Sequence, residues 1–269
     1  MNFGIIIIGD EILSGRREDK HLAKAIELFG ARGLPLAYAD YVGDSPERIT
    51  NTLRRAFASG DVVFSFGGIG ATPDDHTRQC AAAALQQTLV LHPQAKALIR
   101  ERMQDIAREK GISYEPERDD NVHRLNMGVF PEGARIIPNP YNKIPGFSCE
   151  GSGDGAVHFV PGFPVMAHPM VEWVLDTHYR AYFQQGAWQE NSLIVFGAME
   201  ASLTPLMEQI ERAHPVKVFS LPSVDHPEYG RHIELGVKGL PAAAEAAYAE
   251  MRESLKSMGI PLGPEMVRN

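Results

Sequence analysis

The sequence predicts an α/β protein: a mainly parallel sheet covered by helices on both faces, followed by a small ferredoxin-like α/β unit. Three observations carry this reading. Short apolar runs alternate with amphipathic helical stretches through residues 1–185, the pattern of repeated βα units. Turns rich in glycine and acid follow the first three apolar runs. Beyond Gln189 the order changes to strand, helix, strand, strand, helix, a split βαβ arrangement.

The elements follow in order. Phe3–Ile8 is an apolar run suited to a buried parallel strand. Asp19 to Ala31 has helical spacing, with Leu22, Ala23, Ile26, Leu28 and Phe29 apolar, and it ends near Gly30–Gly33. Leu36–Val42 is a second strand. Ser45 caps a helix that starts at Pro46 and carries Ile49, Leu53, Ala56 and Phe57 on one face. Asp61–Phe66 is a third strand, followed by a glycine loop and a helix expected over Pro73–Leu85. His92–Lys110 is a helix, and 111–127 reads as irregular. Gly133–Pro138 and Gly146–Cys149 read as strands, Glu150–Gly155 as a hairpin turn and Ala156–Val160 as the returning strand. Gly151, Gly153 and Gly155 do not form a nucleotide loop, because no helix follows them. A helix then runs from Pro164 to about Tyr182. After a boundary at Gln184–Gln189 come strand Ser192–Phe196, helix Ala201–Ala213, strands Val216–Leu221 and Arg231–Val237, and helix Pro241–Met258. The expected domains are 1–187 and 190–269.

Composition narrows the function classes. A net charge of −8 over 269 residues disfavours broad nucleic-acid binding, which needs a basic face. Cys80 and Cys149 are the only cysteines, too few for a disulfide framework or a cysteine metal cluster. The N-terminal apolar run is too short for a membrane span or a signal segment. These features predict a cytoplasmic protein with neither nucleic acid nor membrane as partner.

The most informative segment is Phe66-Gly67-Gly68-Ile69-Gly70-Ala71-Thr72-Pro73-Asp74-Asp75-His76-Thr77. Gly67, Gly68 and Gly70 let the backbone turn sharply and lie close to a ligand. Thr72 is a fitting N-cap, Pro73 fits the first helical position, and Asp75 completes capping-box spacing. A helix start behind open glycine backbone attracts anions. Two carboxylates there would repel a bare phosphate, but make sense if a divalent cation joins them to phosphate oxygens. The competing reading is plain capping, since first-turn acids stabilise a helix by roughly 0.3–1 kcal/mol without any ligand. No Gly-Lys-Ser/Thr follows, so this is not a Walker loop.

Three acidic groups should meet on the carboxyl edge of the sheet, where such folds bind ligands. They are Gly9-Asp10-Glu11, Gly43-Asp44 and Asp74-Asp75. Arg16, Arg17 and Lys20 lie near the same edge and Lys143 lies within Asn139–Gly146; they are candidates to pair with phosphate, against the plainer reading that each solvates its loop. The histidines His21, His76, His123, His158 and His168 show no zinc-type spacing, although His76 sits beside the loop.

Several motifs together resemble a known family. Gly9-Asp10-Glu11-Ile12-Leu13-Ser14-Gly15, Val42-Gly43-Asp44 and Gly67–Thr77 resemble the molybdopterin-binding domain of the MogA and MoaB type. The nearest likeness is to the N-terminal part of the CinA competence/damage-inducible family. Pro131-Glu132-Gly133-Ala134, Asn139, Pro145-Gly146-Phe147 and Pro161-Gly162-Phe163-Pro164 continue the match in order. The deamidase domain that ends full-length CinA has no counterpart in this sequence.

The resemblance implies a three-layer αβα sandwich. It implies Asp44 and Asp75 as catalytic and metal-binding acids, with Mg²⁺ or another divalent cation. It implies contacts to a phosphorylated nucleotide or pterin from Gly9, Asp10, Glu11, Ser14, Gly67, Gly68, Gly70, Thr72, Asp74, Thr77, Asn139, Gly146, Pro161 and Gly162. Two activities are compatible: metal-dependent hydrolysis of ADP-ribose- or FAD-type pyrophosphates, or molybdopterin binding without hydrolysis. A non-catalytic interaction protein that keeps the fold is a third reading. A homo-oligomer, dimer or trimer, is implied as well. This chain departs from the CinA pattern at Ala71, at Glu18-Asp19-Lys20-His21 and at Asn142-Lys143-Ile144, where bulkier residues would narrow part of the pocket.

Overall fold

Phe3–Ile8 (β1) is buried along its whole length. Ile5 and Ile7 join one hydrophobic cluster and Ile6 and Ile8 another, so this sheet is covered on both faces. The computed structural model describes residues 2–183 and 188–268. The chain divides into two compact units, Met1–Phe183 and Gln184–Asn269. Residues 184–187, on which most of the expected boundary falls, lie outside the described residues.

In the first unit β1 is followed by a short helix, Asp10–Leu13 (α1), and by His21–Gly30 (α2). Leu36–Val42 (β2) leads to Pro46–Ser59 (α3), which starts behind Ser45, whose side chain accepts a bond from the Arg48 N–H. Val62–Phe66 (β3) is buried throughout and leads through the glycine loop to Thr77–Leu85 (α4). Leu89–Leu91 (β4), Pro93–Glu109 (α5), Asp119–Arg124 (α6), Val129–Pro131 (β5), Arg135–Ile137 (β6), Gly146–Glu150 (β7), Ala156–Val160 (β8) and Pro164–His178 (α7) complete it. Helices α2 and α7 pack on one face of the sheet and α3 and α4 on the other. This is the expected three-layer sandwich.

The main sheet has the order β2-β1-β3-β8-β7-β6. Its first four strands are parallel, and β7 runs antiparallel to both neighbours. The registers pair Ile8 with Val42, Ile7 with Phe66, Phe66 with Val160 and Ile137 with Gly146. The segments following β1, β2, β3, β6 and β8, and the one preceding β7, therefore open on the same edge.

Three expectations are corrected here. The helix after the glycine loop begins at Thr77, not Pro73. Asp75 Oδ2 accepts from both the Thr72 N–H (2.9 Å) and the Thr72 hydroxyl (2.6 Å), which closes a separate turn in place of a cap. The stretch 111–127 is not irregular throughout: it holds α6 and the start of a 3-10 turn, Leu125–Gly128. The strand expected at Gly133–Pro138 is the shorter β6, and β4 pairs with β5 in a separate antiparallel ribbon.

The second unit contains Gln189–Val195 (β9), Glu200–Ala213 (α8), Val216–His226 (β10), Gly230–Gly239 (β11), Pro241–Ser257 (α9) and Leu262–Arg268 (β12). Its sheet has the order β10-β11-β9-β12 with every pairing antiparallel. Leu203, Leu206 and Ile210 of α8 and Ala247, Met251 and Leu255 of α9 pack on Leu193, Val195, Leu235 and Val237. The ferredoxin-like unit is thus completed by a final strand that the sequence reading lacked.

Candidate functional site

The carboxyl edge of the main sheet collects the three acidic turns. The Gly9 N–H donates to the Val42 carbonyl at 3.0 Å, tying the turn after β1 to the end of β2. The Gly67 N–H donates to the Val160 carbonyl at 3.0 Å, tying the loop after β3 to the end of β8. Pro161 and Gly162 follow directly.

Asp10 and Asp44 clasp each other. The Asp10 N–H donates to Asp44 Oδ2 at 2.9 Å, and the Asp44 N–H donates to Asp10 Oδ1 at 3.2 Å. Two carboxylates are thereby held side by side, each with one oxygen that makes no hydrogen bond among the described residues. Partial burial, and then the charges of Asp10, Glu11 and Asp74, push the Asp44 carboxyl above its ordinary pKa, while the Asp10 N–H offsets part of this. The loop acid whose charge acts on Asp44 is therefore Asp74.

The glycine loop presents its backbone. Gly67 has φ +98°, and a Cβ there would stand 2.5 Å from the Ile8 carbonyl oxygen. Gly68 has φ +68°, and a Cβ there would run into the Thr77 hydroxyl. Thr77 is buried; its hydroxyl donates to the Gly67 carbonyl at 3.1 Å and its N–H to the Gly68 carbonyl at 3.0 Å. Thr77 therefore shapes the loop from beneath. The N–H groups from Gly68 to Ala71 donate no hydrogen bond among the described residues. Arg78 bonds to the Gly70 carbonyl at 2.6 Å. The peptide bonds among the described residues are all trans, so this turns the Ala71 N–H away from the guanidinium. Successive open amides of this kind make an anion-binding concavity.

Beside the clasp lies a cavity of about 350 Å³ between β1, β3, α2 and the Gly162–Pro164 turn. Ile7, Ile8, Ile12, Phe66 and Phe163 give it apolar walls, and Glu11, Arg17, Glu18, Lys20 and His21 a polar rim. His21 stacks on Phe66 with ring centroids 4.5 Å apart, and its Nε2 lies 3.2 Å from the Gly162 carbonyl. Burial lowers the His21 pKa; the Gly162 carbonyl and the Asp19 charge work the other way without overcoming it. The Arg17 guanidinium lies 5.9 Å from the Phe163 ring centre and 3.6 Å from Glu11. Asp19 holds the start of α2 by accepting from the His21 and Leu22 N–H groups, and it accepts the Tyr41 hydroxyl as well.

Other expected residues are placed differently. Ser14 is exposed and accepts from Arg16. Asn139 is buried and organises its own loop: its amide nitrogen bonds Asn142 Oδ1 and the Ile144 carbonyl, and its oxygen takes the Tyr141 N–H. Gly146 opens β7 on the same edge. Lys143 is taken up by Glu101 and Asp105, both at 2.6 Å, rather than standing ready for phosphate. Asp75 lines a second cavity on the outer side of the loop. The sequence reading missed His21, Arg78 and Phe163 as site residues. In the sequence His21 is marked only by the lack of a zinc-type spacing, and its place depends on a carbonyl 141 residues away.

Among the described residues no group of three or more His, Cys, Asp or Glu side chains is arranged to hold a metal ion. The two spare oxygens of Asp10 and Asp44 suit a hard cation such as Mg²⁺, which is commonly held by one or two carboxylates plus substrate phosphates. No helix among the described residues is long and apolar enough to cross a membrane.

Fold and site together define an α/β protein whose sheet edge carries a pair of acids beside a glycine loop of open amides. The family described as a probable molybdopterin binding domain matches residues 4–180, and the chain belongs to it. It is 31% identical over 227 residues to a CinA-like protein of Syntrophotalea carbinolica, covering 81% of this chain and 52% of that one. It is 31% identical over 261 residues to a CinA-like protein of Citrifermentans bemidjiense, covering 96% of this chain and 59% of that one. The chain thus spans somewhat more than half the length of these relatives. Among solved structures it is similar to the protein CinA from Thermoplasma acidophilum, at 27% identity and a TM-score of 0.54, covering 65% of this chain and 96% of that one.

Proposed function

We propose that this chain binds a phosphorylated small molecule carrying a planar ring, a molybdopterin-type pterin or a nucleotide, with a divalent cation at Asp44. The observation that carries the reading is the run of open amides from Gly68 to Ala71 on the same edge as the Asp10–Asp44 clasp. The phosphate would lie on the amides, and the cation would join it to the spare oxygens of Asp10 and Asp44. The ring would enter the cavity between Phe66 and Phe163, where Arg17 covers the aromatic mouth.

A second reading adds hydrolysis of an ADP-ribose- or FAD-type pyrophosphate. Its support is the crowding of carboxylates around Asp44, which leaves that group poised for a cation. A bound cation would supply charge neutralisation and activation of water. Asp44 and Asp10 would hold it, the loop amides would orient the diphosphate, and Asp75 would brace Thr72. We place this chemistry in a cytoplasmic homo-oligomer. Titrating the protein with a phosphorylated pterin and with ADP-ribose, each with Mg²⁺ and with EDTA, tests binding, and product analysis of the ADP-ribose sample tests hydrolysis. Absence of binding to either ligand in Mg²⁺ would overturn the proposal.

A further inference from the structure

On the outer side of the glycine loop a cavity of about 470 Å³ is lined by Thr72, His76, Arg78, Gln79, His123 and Asn126 among others. Its most unusual member is Arg78. This side chain is only 4% exposed, yet no carboxylate lies within ion-pair distance of it among the described residues. Its guanidinium is held by two carbonyl oxygens, those of Gly70 and Asn126, while its Nε has no partner. Buried charges are ordinarily paired, because taking one out of water is costly. Burial outweighs what compensates the Arg78 charge, which is two carbonyl dipoles and the charge of Asp75 acting from beyond ion-pair distance.

Three carbonyls around the cavity are engaged. The Ala71 carbonyl lies 3.2 Å from His123 Nε2, and the Gly70 and Asn126 carbonyls are used by Arg78. The one carboxylate in the wall, Asp75, has Oδ2 committed twice to Thr72. Without a hydrogen-bond partner among the described residues are the Gln79 amide and the His76 ring, both of which offer N–H donors, and the second oxygen of Asp75. At the start of α4 the Arg78 and Gln79 N–H groups donate no hydrogen bond among the described residues, while those of Thr77 and Cys80 are taken by the Gly68 and His76 carbonyls.

We propose that this outer cavity is a second anion subsite, fitted to a phosphate group of a small molecule and independent of the cation at Asp44. It goes beyond the proposed function, since the inner edge could bind its ligand without it. An anion there would pair with the Arg78 charge across the cavity wall and take hydrogen bonds from Gln79 and the histidines.

The test is NMR of the full chain with labelled histidine and backbone, titrated at fixed pH with inorganic phosphate and then with inorganic diphosphate, in EDTA and in Mg²⁺. Saturable shifts at His76 and His123 of the parent in EDTA are expected, with the affinity read at His76 weakened at least about fivefold by joint Gln79→Ala and His123→Ala substitution. Both substituted side chains are exposed, so the fold should persist, and the backbone spectrum checks that it does. Shifts confined to Gly9–Ser14 and Gly43–Asp44, and only in Mg²⁺, would overturn the outer subsite and leave the inner reading standing. No shift anywhere under either condition would overturn both. A titration curve at His76 that the double substitution leaves unchanged would also overturn the subsite.

Discussion

Asp10 and Asp44 each donate a backbone N–H to the other's carboxylate, at 2.9 and 3.2 Å. The arrangement fixes two like charges beside one another at the ends of adjacent parallel strands. The backbone bonds orient the carboxylates, and the charges of Asp10, Glu11 and Asp74 act against Asp44. A site that concentrates negative charge in this way is stabilised by whatever cation it receives.

Asp44→Asn should therefore not weaken the free protein at neutral pH. Asn Oδ1 can still accept the Asp10 N–H, and the repulsion is gone. The sign follows from the raised carboxyl pKa: the folded state disfavours the ionised form, so ionisation costs stability as pH rises through the carboxylate range. Thermal melts at pH 7 in EDTA should give a Tm equal to or above that of the parent. A clear drop would mean that Asp44 serves the fold instead.

Gly67→Ala should damage fold and site together. The new methyl would face the Ile8 carbonyl at 2.5 Å with φ at +98°, and neither backbone can easily give way. A cost of about 1–3 kcal/mol is expected from strain of this kind, read by denaturant unfolding. Unchanged stability would show that the loop can relax.

His158 is completely enclosed, with Ser148 and Tyr179 each 2.7 Å from one of its ring nitrogens. Burial pushes its pKa from 6.5 down to about 3. The unfolded chain therefore takes up this proton first, and stability falls as pH drops below about 6.5. The slope for one proton is about 1.4 kcal/mol per pH unit. His158→Gln cannot titrate, so its stability should fall less steeply between pH 6.5 and 4. Equal slopes would contradict the enclosed, neutral imidazole.

Residues 188–269 have a core of their own, with Leu193, Leu235, Met251 and Leu255 fully buried. This segment produced alone is expected to unfold cooperatively. Leu255→Ala should then cost about 2–5 kcal/mol, the usual range for such a truncation in a core. A non-cooperative melt of the parent segment would defeat the expectation.

The sequence made the strands and the glycine loop legible because their signals are local. Phe3–Ile8 and Val62–Phe66 are unbroken apolar runs, and Gly67-Gly68 needs no distant partner to announce a turn. The start of α4 was misread because the Thr72–Asp75 spacing fits a cap and a closed turn equally well. The side chains choose the turn, and Thr77 caps nothing but bonds back to Gly67. The last strand was hidden because Gly263 and Pro264 break its alternation and its pairing with β9 shifts register between Leu262 and Glu265. His21 and Arg78 escaped notice because their roles depend on the Gly162, Gly70 and Asn126 carbonyls, which are brought to them only by the folded sheet edge.

The central claim is that Asp44 and the open loop hold a phosphate through a divalent cation. The most direct measurement is calorimetric titration of a phosphorylated pterin and of ADP-ribose into the parent chain and Asp44→Asn, with Mg²⁺ and with EDTA. At least one ligand is expected to bind the parent in Mg²⁺, and either EDTA or the substitution to weaken it at least about tenfold, or about 1.4 kcal/mol. Equal affinity in all four conditions would contradict it.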